Sequence, residues 1–232
     1  MLFQIQVDTL AAATDSIAAI EEPVQESINL WTMAQYGGWI MIILAILLAW
    51  GVYIFIERLV VIHSATREDK TFMDRIRDYI HEGKIDSAVS LCHQTDTPAS
   101  RMVEKGISRI GRPMQDVQVA IENVGNLEVS KLEKGLVIMA TIAGGAPMLG
   151  FLGTVIGMVQ TFFNMAQNAS GVIEMSTLSE GMYQAMVTTI GGLIVGILAM
   201  FAYNFLVARI DQVVRGLEGR TMEFMDLLNE PA

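Results

Sequence analysis

The sequence predicts an all-α integral membrane protein with three transmembrane helices. Its amino terminus lies outside and its carboxyl terminus inside. A large helical cytoplasmic domain follows span one, and long helices extend from spans two and three. Three observations predict this. Residues 37–56, 136–165 and 181–208 are apolar runs, free of charge apart from their flanks, and each exceeds the roughly 18 residues that mark a spanning helix. Between them apolar residues recur at helical spacing, with no alternating strand pattern. Twelve of the 15 Lys and Arg residues fall between positions 58 and 134, and Arg209, Arg215 and Arg220 follow the third run. Basic residues beside span ends mark the cytoplasmic side, and Arg58, Lys131, Lys134 and Arg209 sit there.

Composition narrows the class further. Of 232 residues, 52% are hydrophobic and 17% charged, with a net charge of −10; the lipid bilayer is the expected surrounding and no nucleic-acid partner is expected. No basic residue precedes Leu10 and no continuous apolar core follows, so a signal peptide is not expected. The single Cys92 excludes an intrachain disulfide. His93 beside it, with His63 and His81 scattered, has no metal-ligand spacing. There is no Gly-rich phosphate loop and no nucleophile elbow; neither an enzyme nor a catalytic residue is expected.

In chain order, residues 1–36 form an acidic periplasmic segment in which Val24, Ile28 and Trp31 share one face of an interfacial helix; a mobile tail before Pro23 is the alternative. Span one (37–62) starts at the interfacial Trp39 and ends at Glu57-Arg58. Its surface is bulky nearly all round, so it should mostly face lipid. The cytoplasmic domain (63–134) reads as four amphipathic helices. Phe72, Ile76 and Tyr79 or Ile80 stripe the first, which stops at Gly83. Ile85, Ala88 or Val89 and Cys92 stripe the second. Thr97-Pro98 caps the third, through Met102, Val103 and Ile107. Val117, Ile121, Val124, Leu127 and Leu132 stripe the fourth, which should run unbroken into span two. Span two (135–165) carries a small-residue face: Ala140, Ala143, Pro147, Gly150, Thr154, Gly157, Thr161. After a periplasmic loop (166–180), span three (181–208) repeats the device with Ala185, Thr189, Gly192, Gly196 and Ala199, flanked by Gln184 and Thr188. A cytoplasmic helix (209–232) ends the chain, with Ile210, Val213, Val214 and Leu217 on one face.

These stripes permit close helix approach, and pure packing is one reading of them. Their polarity suggests another. Neither span two nor span three holds a carboxylate or a histidine, so the chain alone is a poor proton carrier. Threonine hydroxyls can nevertheless donate and accept around a carboxyl supplied by another protein, whose pKa burial would raise.

The stretches GGAPMLGFLGTVIGMVQTFF and LSEGMYQAMVTTIGGLIVGILAMFAYNF resemble the second- and third-span motifs of the ExbB/TolQ/MotA proton-channel family. The three-span plan is closer to ExbB, with TolQ second, than to the four-span MotA stators. The resemblance implies a multi-pass protein of the bacterial inner membrane and a homo-oligomer, a pentamer in this family. It also implies an ExbD- or TolR-like single-span partner with a membrane Asp, and a TonB-like protein beyond it. Protons are the coupling ion and no cofactor is implied. The implied function is a motor subunit that uses the proton motive force to energise TonB-dependent outer-membrane transport. A TolQ-like role in Tol-Pal envelope maintenance or motility is one alternative, and a structural membrane scaffold is another. By position, Thr154 and Thr189 would face the partner's Asp, with Thr188, Gln184 and Thr161 along the same pathway. Pro147, Gly150, Gly157, Gly192, Gly196, Glu57 and Arg58 would serve structure or gating. The family commonly has Glu where this chain has Gln184, which leaves proton carriage to the partner.

Overall fold

The computed structural model describes residues 37–66, 71–167 and 175–229, side chains at 175–177 excepted. The predicted interfacial helix at Val24, Ile28 and Trp31 and the middle of the predicted periplasmic loop (166–180) lie outside these residues. Among the described residues every regular element is a helix: α1 Gly38–Thr66, α2 Phe72–His81, α3 Ile85–Thr95, α4 Pro98–Ile107, α5 Met114–Glu133, α6 Leu136–Gln167 and α7 Met175–Asn229. Three of these are long and apolar enough to cross a membrane: α1, α6 and the first half of α7.

α1 is apolar throughout, yet only one narrow face is buried: Ile40, Leu44, Gly51, Ile54, Arg58 and Ile62. Trp39, Ile42, Ile46, Tyr53 and Val60 stay exposed, as the bulky all-round sequence predicts for a helix set against lipid. The buried face lies along α7 and α6.

The short helices α2, α3 and α4 form where their stripes place them. Gly83, at φ +71°, stops the chain after α2, a left-handed turn that glycine adopts without penalty. Thr97 caps α4 through a reciprocal pair: the Ser100 N–H donates to the Thr97 hydroxyl at 3.2 Å, and the Thr97 N–H donates to the Ser100 hydroxyl at 2.9 Å. The domain core gathers Phe72, Ile76, Ala88, Cys92, Val103, Ile107, Val117 and Ile121 around Leu206, Ile210, Leu217 and Phe224 of α7. The second half of α7 is therefore the post on which the small helices are mounted. At 1.5 Å per residue its 55 residues span about 80 Å from membrane to domain.

Two sequence expectations need correction. Leu127 is exposed and Val124 only half-buried; α5 instead buries Val117, Ile121, Gly125, Glu128 and Leu132. A glycine and a carboxylate break the apolar pattern there. Gly125 admits the Met102 side chain, and Glu128 is neutralised by Arg101 and Lys131. Nor does α5 run unbroken into span two. A two-residue turn at Lys134–Gly135 separates α5 from α6, with Gly135 at φ +90°. The turn is held by α1: Arg58, buried at the helical-domain end of span one, donates from Nη1 to the Lys131 carbonyl at 3.1 Å and from Nη2 to Glu57 at 2.7 Å. That carbonyl belongs to the last turn of α5 and has no helical partner, so the cation satisfies it and complements the helix dipole.

Candidate functional site

The site is the seam between α6 and α7, the most extensive helix pairing in the molecule. Both helices present small residues there, and the backbones approach until no Cβ fits. A Cβ on Gly192 would lie 2.6 Å from the Ala146 carbonyl oxygen and 2.8 Å from Gly150 Cα. One on Gly150 would lie 2.9 Å from the Thr188 carbonyl oxygen. Further along, Gly196 faces the Pro147 ring, and a Cβ there would lie 3.1 Å from the Ala143 oxygen. That oxygen lacks its helical donor because Pro147 has no N–H. Gly157 stacks on Ala185 in the same manner. Thus Pro147, Gly150, Gly157, Gly192 and Gly196 all lie in one intrachain contact. In lipid, where apolar burial gives no preference for helix over acyl chain, such close approach supplies the van der Waals contact that holds helices together.

The buried face of α6 is rotated slightly from the stripe read off the sequence. It runs Leu136, Met139, Ile142, Ala146, Gly150, Gly153, Gly157, Thr161, while Ala140 is exposed and Ala143, Pro147 and Thr154 are half-buried. The rotation arises because α6 serves two neighbours, with Met139 and Ile142 beside Gly51 of α1.

The polar candidates divide accordingly. Thr188 is 1% exposed, sits against Gly153, and donates to the Ala185 carbonyl of its own helix at 2.8 Å. Thr161 is 5% exposed, sits against Gly181, and donates to the Gly157 carbonyl at 2.8 Å. Both hydroxyls are spent on their own backbone inside the seam. Thr154 and Thr189 are only half-buried. Thr154 donates to the Phe151 carbonyl at 2.6 Å. Thr189 lies 3.4 Å from both the Gly150 carbonyl across the seam and the Ala185 carbonyl of its own helix. At that length neither bond is strong, so the Thr189 hydroxyl is weakly committed. Gln184 reaches the start of α1, where a Cβ on Gly38 would lie 2.9 Å from its Nε2. Glu57 and Arg58 stand apart from the seam, at the α5–α6 turn.

Below the seam, at the helical-domain end, a cavity of about 380 Å³ opens between Ala140, Tyr203, Glu133 and Asp211. These are the first carboxylates met on leaving the two spans. Sequence reading placed both residues outside the membrane but did not bring them together, because 78 positions separate them and no local pattern links them. It also missed a polar cluster around the buried Glu128. The Arg101 Nη2 donates to Glu128 at 2.7 Å and the Lys131 Nζ at 2.6 Å, and Arg101 also pairs with Asp96. Burial alone would push the Glu128 carboxyl up, but hydrogen bonds from Arg101 and Lys131 outweigh it and hold it below its ordinary value. The only signal for this in the sequence is the Glu128–Lys131 spacing of three. Burial pushes the Cys92 thiol up to about 12, with a contribution from Glu104, so it is an inert core residue. Its neighbour His93 is exposed beside Glu104. Among the described residues no group of three His, Cys, Asp or Glu could hold a metal.

Fold and seam together define a membrane protein built on two glycine-faced helices with hydroxyls at their edges. The profile of the MotA/TolQ/ExbB proton channel family matches residues 94–219, and this chain belongs to that family. An ExbB homolog of Methanothermobacter thermautotrophicus, described as a biopolymer transport protein, is 33% identical over 190 residues, covering 80% of this chain and 66% of its own. The biopolymer transport protein ExbB of Aquifex aeolicus is 39% identical over 80 residues, covering 34% of this chain and 53% of its own. The Tol-Pal system protein TolQ of Haemophilus influenzae is 24% identical over 207 residues, covering 83% of this chain and 90% of its own. The chain thus spans 66% or less of the length of the first ExbB relatives it matches.

Proposed function

We propose that this chain is the channel subunit of a proton-driven motor in the bacterial inner membrane, with its helical domain in the cytoplasm. Copies of it, five in the arrangement favoured by its family, surround an ExbD-like single-span partner whose membrane Asp carries the proton. The motor energises outer-membrane transport through a TonB-like protein. The observation that carries this reading is the weakly held Thr189 hydroxyl, half-buried at the edge of a seam that contains no acid of its own. It can turn from two 3.4 Å carbonyl contacts to a stronger, charge-assisted bond with a carboxylate. Thr154 retains acceptor capacity for the same group when protonated. Thr188 and Thr161 stand behind them, packed inside the seam, and Gln184 lies against the start of α1.

The energetics are adequate. One charge crossing 100 mV releases about 2.3 kcal/mol, and each pH unit adds about 1.4 kcal/mol. A few protons therefore suffice to drive one subunit past another between near-equal states. Protons released by the partner would reach the helical-domain side near the cavity between Glu133 and Asp211.

The test is Thr189→Val in the full chain, co-expressed with its acid-bearing partner and reconstituted in vesicles. A hydrogen bond to a charged group is worth about 1.5–3 kcal/mol. Proton flux should fall about tenfold to a hundredfold, with assembly and thermal midpoint unchanged. Unchanged flux would leave the scaffold reading in possession. A Tol-Pal role is a second reading, favoured by the near full-length match to TolQ. Copurification of a TolA-like rather than a TonB-like companion would select it.

A further inference from the structure

A second crevice shares no lining residue with the acid-lined cavity. It is about 210 Å³ in volume, bounded by α1, α6 and α7, and its wall is almost wholly apolar. Leu48, Gly51 and Phe55 form one side, Met139 and Ile142 the floor, and Leu198 and Ala202 the other side. The crevice lies within the three apolar spans, so water has no polar partners there. Val52 and Leu198 on its rim are exposed, so it is open to the outer surface of the chain. An unfilled groove would forfeit dispersion contacts along its whole lining.

The row that lines the crevice continues toward the helical domain and ends in a cation. On α7, Leu198 and Ala202 lead to Phe205 and then Arg209 at successive turns. The Phe55 ring, part of the crevice wall, stands 6.2 Å from the Phe205 ring. The Arg209 guanidinium is held 5.3 Å above that same ring. Arg209 is exposed, and its one hydrogen bond is to neutral Gln212 at 3.3 Å. Among the described residues no carboxylate pairs with it. An apolar slot with a pre-positioned, unneutralised guanidinium at the membrane boundary is matched to a molecule with a long hydrocarbon tail and an anionic head.

We infer that this crevice is a binding site for one anionic phospholipid per chain, with an acyl tail between α1 and α7 and the phosphate on Arg209. The site is separate from the α6–α7 seam, and the inference stands whether or not the channel reading does. A bound tail would fill the space beside Gly51 and set how closely span one lies on the other two.

The experiment uses the full chain reconstituted in vesicles of equal phosphatidylglycerol and phosphatidylethanolamine, extracted gently and weighed by native mass spectrometry. The unaltered protein should retain one phospholipid per chain, with phosphatidylglycerol enriched severalfold over its share in the vesicle. Arg209→Gln should return the headgroup ratio to that of the vesicle. Ala202→Leu, which fills the slot, should abolish retention. Gly51→Ala guards against misfolding. A Cβ there makes only ordinary contact, 3.7 Å from Ile142 Cδ1 and 3.9 Å from Met139 Sδ, and it should lower retention severalfold. Retention insensitive to both slot variants, or a headgroup ratio insensitive to Arg209→Gln, would overturn the inference. So would disulfide-linked dimers of a Val52→Cys chain, which would mean that a second copy fills the slot.

Discussion

The tightest glycines of the membrane seam and those of the helical domain meet different neighbours. At Gly192 the neighbours are backbone: Ala146 O, Gly150 Cα and Gly150 N. In the domain, Gly106 opens onto the Phe224 ring and Ile121 Cδ1, and Gly125 onto the end of Met102. Domain glycines thus make room for large side chains, among them Phe224, which is fully buried. The difference follows from the solvent. In water, burying a ring removes apolar surface from contact with water at about 25 cal/mol per Å², so the domain is built from large side chains. In acyl chains that drive is missing, and the gain comes from bringing main chains together.

The sharpest way to break this comparison is a graded alanine series. Gly192→Ala should do most damage, because neither the Ala146 carbonyl nor the Gly150 backbone can move without parting the helices. Overpacking of this kind costs about 1–3 kcal/mol or more. The expected result is a large drop in thermal midpoint and loss of assembled protein. Gly125→Ala should be milder, since the Met102 thioether is unbranched and can shift by a few tenths of an ångström. If the two substitutions were equally harmful, the proposed distinction between backbone and side-chain neighbours would fail.

The same contrast explains how far the sequence could be read. Water leaves a periodic trace, so the stripes of α2, α3 and α4 and the tail from Ile210 to Leu217 reappear as core. The three spans were legible because apolar length is a simple signal. Rotation within the membrane was not. Every face of α6 is apolar, so nothing in its sequence told that Ile142 turns inward while Ala140 turns out. Leu127 misled because an apolar residue in register was taken for core, while charge pairing across α4 and α5 buried Glu128 one position later. Gly135 is visible in the sequence, but only its φ of +90° reveals a break rather than a weak point. Of the hydroxyls, the sequence put Thr154, Thr161, Thr188 and Thr189 on one surface. Seam geometry separates the two held within it from the two at its edge.

Charge is the domain's other resource, and the prediction of intermediate size concerns it. The Glu128 side chain is 5% exposed and accepts from Arg101 and Lys131. Glu128→Gln should destabilise the helical domain by about 1.5–3 kcal/mol, at the lower end because Arg101 is a third exposed and keeps Asp96. The sign of the pH dependence is fixed by the direction of the shift. A carboxyl whose folded pKa lies below its unfolded value contributes fully above the unfolded value of about 4.5. That contribution is lost as pH falls through the lower folded value. Unaltered protein and Glu128→Gln should therefore differ in denaturation midpoint at pH 7 and converge well below pH 4.5. A difference that persisted at low pH would mean that Glu128 acts through shape rather than charge.

The smallest expected effect tests the membrane half of the comparison from its empty side. A Cβ on Gly144 meets nothing within 4 Å, although Gly144 stands in the same helix as Gly150 and about 1.7 turns from it. Within one chain, Gly144→Ala should be neutral or stabilise α6 by up to about 1 kcal/mol, the helix propensity difference alone. Its thermal midpoint in dilute detergent should hold or rise. The oligomer proposed above supplies a second reading of the same position. If another copy lays its main chain against Gly144, as α7 does against Gly150, the alanine will leave the isolated chain intact but lower the mass of the assembled particle. A midpoint unchanged in both states would assign this open face to lipid, and the close backbone approach in the membrane would then belong to α6 and α7 alone.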